Sequence, residues 1–243
     1  MNRAEEIAAN LAEVRGRIAQ AEGRAGRSAG SVRLVAVSKT VSPADILVAL
    51  GAGQQDFGES YGQEFRDKRV DVETGAQAAG LPPPRWHFIG PLQTNKVKYA
   101  AGKVALIHSV EDGEVLAEIE RRVVHLPVPQ DCLIQVNVAA ETQKHGVAPA
   151  QLPALLDRFA DLPHLRCTGL MVIPPFGDNR EISRPSFAGL RRLRDEQAGI
   201  SRAHVNLTEL SMGMSHDLEI AVAEGATLVR VGTAIFGERP PAG

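Results

Sequence analysis

Apolar residues recur along the chain in two alternating rhythms. At the start, Ile7, Leu11, Val14 and Ile18 are spaced by four, three and four residues, the stripe of one helix face, which ends toward Gly23 and Gly26. This predicts a helix over about residues 2–22 that packs on the main body. Short apolar runs then lie near residues 33–38, 55–58, 86–89, 104–108, 132–138, 166–171, 205–211 and 227–231. Amphipathic segments of helical length fill gaps between them: Asp45 to Leu50 after Pro43, Val115 to Val124, Leu152 to Phe159, Phe187 to Gln197, and Leu218 to Glu224. Runs such as Leu34-Val35-Ala36-Val37 and Val104-Ala105-Leu106-Ile107 are continuously apolar, as expected of parallel strands covered on both faces. Strand-then-helix repeats of this kind predict an α/β fold, a (β/α)8 TIM barrel over about residues 32–240 with the extra N-terminal helix in front. A doubly wound open sheet would alternate in the same way, so periodicity leaves closure open.

The length, 243 residues, suits one such barrel, and neither Gly80-Leu81-Pro82-Pro83-Pro84 nor the loop Pro174 to Asn179 reads as a domain linker. One domain over 1–243 is expected. With 27 basic and 29 acidic residues the net charge is −2, which argues against a polyanionic partner or a membrane surface. The start, Met1-Asn2-Arg3-Ala4-Glu5-Glu6, is no leader, and no apolar stretch nears the roughly 20 residues of a bilayer span, so a cytoplasmic protein is expected. Cys132 and Cys167 fall inside predicted strands and form no C-x-x-C, which suits two buried thiols acting as small hydrophobes. The seven histidines include no H-x-H or H-E-x-x-H pair, so no metal site is expected.

Candidate chemistry lies at the two ends of the repeat. Lys39 follows the first strand, and Gly232-Thr233 follows the last. If these strands are neighbours in a closed barrel, an amine able to form a Schiff base stands beside a turn able to hold a phosphate, which points to pyridoxal 5'-phosphate. Barrels bind phosphate after strands seven and eight, where this chain has Leu210-Ser211-Met212-Gly213-Met214-Ser215 and Gly232-Thr233-Ala234-Ile235-Phe236-Gly237. Either glycine turn alone serves most simply to close a strand; the two together point to an anion. Arg230 shares a strand face with Leu228 and Gly232, and a guanidinium there must find a partner. That partner is either a carboxylate in the barrel, Glu59 or Glu209, or the ligand whose phosphate touches Gly232. His87, beside Trp86, reads as a hydrogen-bonded barrel residue rather than a base, and Arg85, Lys96, Lys98 and Lys103 as a solvated basic cluster.

The chain resembles the YggS/PROSC family of pyridoxal phosphate homeostasis proteins, relatives of the barrel half of alanine racemase. The resemblance rests on Leu34-Val35-Ala36-Val37-Ser38-Lys39-Thr40, Phe57-Gly58-Glu59, Trp86-His87-Phe88-Ile89-Gly90-Pro91-Leu92-Gln93-Thr94-Asn95-Lys96, Ile107-His108-Ser109-Val110, Gln135-Val136-Asn137 with Lys144 and Gly146, Gly169-Leu170-Met171, Leu210 to Ser215 with Asp217, and Val229 to Gly237. It implies that Lys39 carries the cofactor as an internal aldimine, that Ser211, Gly232 and Thr233 take the phosphate, and that Arg230 faces the pyridine nitrogen, with Asn137 and Met212 also in the cofactor site. An arginine in that place keeps the ring nitrogen unprotonated and the ring a weak electron sink. The family usually has Asn where this chain has Ser60, and a hydroxyl cannot reproduce both amide donor and acceptor. The implied function is to hold and buffer pyridoxal phosphate and pass it to apo forms of the enzymes that use it, as a monomer and without strong catalysis. Two alternatives compete. A racemase using the same cofactor needs opposed acid-base groups, the second of which alanine racemases draw from another domain and subunit, whereas the length here is taken up by one barrel. A phosphosugar enzyme would instead form its Schiff base at Lys39 directly with substrate.

Overall fold

A computed structural model describes residues 2–139, 145–175, 177 and 179–238; Lys144, Phe176 and Asp178 lie outside the described residues. Helix α1 (Arg3–Arg24) starts at a reciprocal cap in which the Asn2 side chain accepts from the Glu5 amide and the Glu5 carboxylate accepts from the Asn2 amide. Its stripe of Ile7, Leu11, Val14 and Ile18 is buried, as predicted. Then follow β1 (Arg33–Val37), α2 (Pro43–Gly51), β2 (Asp56–Glu59), α3 (Gly62–Ala78), β3 (Arg85–Phe88), α4 (Val97–Ala100), β4 (Leu106–Val110), α5 (Gly113–Val123), β5 (Gln130–Gln135), α6 (Leu152–Asp157), β6 (Leu165–Met171), α7 (Arg184–Ala198), β7 (Val205–Ser211), α8 (Leu218–Ala223), β8 (Leu228–Val231) and α9 (Thr233–Phe236).

The eight strands pair in chain order, all parallel, and β8 returns to β1 with Arg33 opposite Leu228 and Val35 opposite Arg230. The barrel is therefore closed. Alternation along each strand then divides two environments. Leu34, Ala36, Phe57, Trp86, Ile107, Leu170, Leu210 and Val229 belong to the large core shared with the helices, whereas Val35, Leu106, Leu133, Met171 and Leu228 form a separate small cluster inside. Polar residues complete that interior. Cys132 and Cys167 are opposite one another on β5 and β6, free and buried, and burial raises both thiols, Cys167 to about 12. They behave as the small hydrophobes expected.

The seam between first and last strands is stitched from outside by α1, which packs against α2, α8 and α9. Arg3 donates to Asp45 and to the Phe236 carbonyl, Asn10 to the Ile235 carbonyl, and Arg17 to Glu219 and the Ser215 carbonyl; just past the helix, Arg27 donates to the carbonyls of Val222 and Ala226. The 17-residue α3 was not predicted, because its buried face runs Phe65, Lys68, Val72, Ala76 and a charge interrupts the apolar stripe. Among the described residues no helix is long and apolar enough to cross a membrane.

One glycine bears directly on the strand packing. A Cβ on Gly169 would lie 2.0 Å from the Glu209 carbonyl oxygen on the adjacent strand, where the register of β6 on β7 shifts. Gly169→Ala is expected to lower unfolding free energy by about 1–3 kcal/mol. Gly16→Ala, in α1 with nothing within 4 Å of the new methyl, is expected to raise it by about 0.5–1 kcal/mol. Urea midpoints of the two variants should move in opposite directions from the parent.

Candidate functional site

The C-terminal ends of the strands surround a cavity of about 420 Å³. Val37 and Lys39 reach it from β1, Ser60 and Tyr61 from β2, Ile89 to Pro91 from β3, Met214 to Asp217 from the loop after β7, and Arg230, Gly232 and Thr233 from β8. The half-buried Lys39 has its ammonium nitrogen 5.8 Å from the centroid of the Tyr61 ring.

The backbone on both sides of Lys39 is clamped by a buried ion cluster. Lys68 donates to the Ser38 carbonyl at 2.7 Å, to Glu59 Oε1 at 3.0 Å and to Glu64 Oε1 at 2.5 Å. Ser38 Oγ donates to Glu59 Oε1 at 2.6 Å, and the Thr40 amide donates to Glu64 Oε1 at 2.6 Å. Thr40 has φ +60, in the left-handed region that side chains avoid, and these anchors hold it there. Burial raises the Glu59 carboxyl, and Lys68 only partly offsets this. Its second oxygen is buried without a hydrogen-bond partner among the described residues.

Arg230 forms the floor of the cavity. Its Nη1 donates to Ser211 Oγ at 2.6 Å and its Nη2 to the Val172 carbonyl at 3.0 Å. Neither carboxylate considered from the sequence is its partner: Glu59 is taken by Lys68 and Ser38, and Glu209 by Arg33 and Thr227. Burial lowers the Arg230 guanidinium to about 10, with the charge of Asp217 acting the other way. Below Ser211 the hydrogen bonding continues through His108 and His87 to Asp56; His87 is the bonded barrel residue predicted. Burial pushes the Asp56 carboxyl up, but hydrogen bonds from His87 and Arg85 outweigh it and leave Asp56 below its ordinary value. Burial drives His108 well below the usual imidazole range, and the charges of His87, Arg230 and Arg33 push the same way.

On the opposite wall the Thr233 hydroxyl is 3.2 Å from Ser215 Oγ. Thr233 opens the short turn α9, whose first amides have no intrahelical acceptor. The preceding loop is held by Asp217, which accepts from the Met214 amide and from the Ser183 hydroxyl, both at 2.7 Å. Gly213, at φ +93, lets the chain turn where a Cβ would meet Ala221 at 2.4 Å.

Four of the seven residues singled out in the sequence, Lys39, Arg230, Gly232 and Thr233, therefore line one cavity. Ser211 is fully buried beneath it, between Arg230 and His108. Met212 packs in the core shared with the helices and its amide donates to the Leu228 carbonyl; Asn137 follows β5, its amide donating to the Val147 carbonyl. The hydroxyl beside Thr233 belongs to Ser215, four residues beyond the serine chosen from the sequence. Ser60 lines the wall, packed so closely on Gly90 that a Cβ there would lie 2.2 Å from the Ser60 carbonyl oxygen.

Residues 7–240 match the family model described as alanine racemase, N-terminal domain. A pyridoxal phosphate homeostasis protein from Aquifex aeolicus is 45% identical over 235 residues, 94% of this chain and 96% of the relative. Among solved structures, an unknown protein from Bifidobacterium adolescentis superposes with a TM-score of 0.90 at 36% identity, covering 96% of each chain. PipY of Synechococcus elongatus, solved with pyridoxal phosphate bound, has a TM-score of 0.78 at 34% identity, covering 95% of this chain and all of that one, 100%.

Two outcomes follow from the buried charges. Lys68→Met strands the Glu59 carboxylate, 0% exposed, and should cost about 3–5 kcal/mol in denaturant unfolding, with Lys68→Met/Glu59→Gln recovering more than half. His108 is neutral when folded and, with its folded value lowered, gains a proton only on unfolding. Its contribution to stability is thus full above about pH 6.5 and lost as pH falls below that value. Unfolding measured from pH 7.5 down to 5 should show a shallower loss in His108→Gln than in the parent.

Proposed function

The chain belongs to the alanine racemase N-terminal domain family, among its pyridoxal phosphate homeostasis proteins, and we propose that it binds pyridoxal 5'-phosphate at the barrel mouth and buffers or delivers it without strong catalysis. The observation that carries this reading is the convergence on one cavity of the Lys39 amine, the Arg230 guanidinium and the paired hydroxyls of Thr233 and Ser215. The donor set fits the group. The cavity volume lies within the range of small-ligand sites, its floor is cationic, and its far wall offers the hydroxyls of Thr233 and Ser215 to an anion. When bound, the cofactor supplies an aldehyde and an electron-withdrawing ring.

Each residue then has its own task. Lys39, its flanking backbone fixed by Lys68 and Glu64, presents the amine that captures the aldehyde. Thr233, Ser215 and the main chain at Gly232 hold the phosphate. Arg230 faces the pyridine nitrogen, where a donor that keeps its proton leaves that nitrogen unprotonated. That arrangement favours holding the cofactor over turning over amino acids. Ser211 acts from below the wall, by holding Arg230, and Met212 and Asn137 act from behind it, through the packing of the strand ends. The same reading makes the protein a cytoplasmic monomer whose recipients are apo forms of enzymes that need the cofactor.

The test is a titration of cofactor-free protein with pyridoxal phosphate, followed by borohydride reduction and mass mapping. The reduced adduct is expected on Lys39, with visible absorption lost in Lys39→Ala; an adduct on Lys96 would overturn the assignment. Thr233→Val with Ser215→Ala should weaken retention, each lost hydrogen bond to the charged phosphate being worth about 1.5–3 kcal/mol. Exchange of the α-proton of either alanine enantiomer should run well below about one turnover per second, and rapid inversion abolished by Lys39→Ala would favour a racemase instead.

A further inference from the structure

The inside of a barrel of this kind is ordinarily filled by layers of branched apolar side chains. Here a file of polar groups crosses it. Arg230 Nη1 lies 2.6 Å from Ser211 Oγ, Ser211 Oγ 2.8 Å from His108 Nδ1, His108 Nε2 2.9 Å from His87 Nδ1, and His87 Nε2 2.9 Å from Asp56 Oδ1. Asp56 Oδ2 accepts from Arg85 at 2.6 Å, at the end of the barrel away from the cavity. The five residues from Arg230 to Asp56 are all buried and come from five different strands.

The two ends decide which way every proton in the file points. A guanidinium can only donate, so Ser211 Oγ accepts at the top. An ionised Asp56 can only accept, so His87 carries its proton on Nε2. With both imidazoles neutral, His87 Nδ1 is then bare and accepts from His108 Nε2–H, which leaves His108 Nδ1 bare to accept the Ser211 hydroxyl proton. The opposite order would set a bare imidazole nitrogen against a carboxylate. With its proton turned downward, Ser211 offers only lone pairs to Arg230. The guanidinium is anchored by two neutral oxygens, Ser211 Oγ and the Val172 carbonyl, and no carboxylate in the file reaches it. Glu209, two residues before Ser211 on the same strand face, is held by Arg33.

We propose that Asp56, His87 and His108 are positioning residues for Arg230, whose one-way file of hydrogen bonds keeps the guanidinium aimed at the cavity with no carboxylate hydrogen-bonded to it, and so sets how strongly it bears on the ring nitrogen of the bound cofactor. The proposal rests on the reading of the cavity as a pyridoxal phosphate site. Asp56 is the residue on which the direction depends. In Asp56→Asn the side-chain oxygen goes to Arg85 and the amide to His87 Nε2, which forces both imidazoles into the other tautomer and turns a His108 Nδ1–H toward Ser211. The Ser211 hydroxyl then loses its downward acceptor, and its proton competes with Arg230 for the same space.

The test begins with imidazole 15N spectra of the cofactor-free protein. The parent is expected to show Nε2–H on both His87 and His108, and Asp56→Asn to show Nδ1–H on both. Parent spectra with His108 protonated on Nδ1 would overturn the proposal. The protein is next loaded with pyridoxal phosphate labelled with 15N in the ring. In Asp56→Asn the ring-nitrogen resonance should shift and the cofactor dissociation constant rise about tenfold, the equivalent of one weakened charge-assisted hydrogen bond, with the adduct still on Lys39. His108→Gln, which keeps a donor and an acceptor, serves as a second variant, expected to shift the same resonance in the same direction. Flipped tautomers with an unmoved ring resonance and an unchanged dissociation constant would sink the proposal while leaving the cofactor site intact. Failure of the parent to take up the cofactor at all would instead refute the reading of the cavity, and the proposal with it.

Discussion

The pairing of β1 with β8 is the constraint from which the site follows. It sets Val35 opposite Arg230 and Ala36 opposite Val231, so that the residues just beyond both strands, Lys39 on one and Gly232 and Thr233 on the other, emerge side by side although nearly 200 positions separate them. Parallel register carries them to the same end, and strand alternation turns Arg230 inward beneath them. No local motif could achieve this. The amine, the cation and the hydroxyls share a cavity because the sheet has no free edge at that point.

Closure also creates a problem that the buried charges resolve. An amine at a strand end is useful only if its backbone is fixed, and Lys39 is followed by a residue in a costly conformation. Lys68, reaching in from the neighbouring helix, binds the carbonyl before Lys39 and two carboxylates at once, one of which takes the amide after it. The cluster is expensive to desolvate, and Glu59 retains an oxygen with no partner among the described residues. Its return is geometric rather than energetic. On the far side Asp217 does the same for the loop carrying Ser215, with a backbone amide and a buried hydroxyl in place of an ammonium.

Much of this is legible in the amino-acid sequence. Continuous apolar runs such as Leu34 to Val37 gave the strands, the spacing of Ile7 to Ile18 gave the first helix, and Lys39 and Gly232-Thr233 gave two corners of the site. What escaped reading shares one cause: a residue whose partner is distant in sequence looks anomalous where it stands. Lys68 breaks the apolar stripe of α3 because two of its three acceptors, the Ser38 carbonyl and Glu59, lie on other segments. Ser211, for which the resemblance implies a phosphate contact, is buried in the barrel between Arg230 and His108, on the face of Glu209 two residues earlier, and Ser215 is the hydroxyl beside Thr233. For Arg230 the sequence leaves open Glu59, Glu209 or a ligand, because it does not show that Lys68 and Ser38 hold the first and Arg33 and Thr227 the second. His108, beside Ser109 in an otherwise apolar strand, gives no sign of a network spread over five strands.

The stitching of the seam by α1 carries a consequence for how the molecule is made. The helix is synthesised long before the groups it binds at Ser215, Glu219, Ile235 and Phe236 and before β8, the strand that pairs with β1. Contacts of such long sequence separation are slow to form, because loop closure must precede any gain from them. For most of translation β1 presents an unsatisfied edge, the kind of surface that invites intermolecular pairing. The folding barrier and the cavity therefore share one origin: the segment from β8 to α9 both completes the sheet and builds the wall that carries Thr233. A nascent chain acquires that wall in the same step that pairs the open edge of β1.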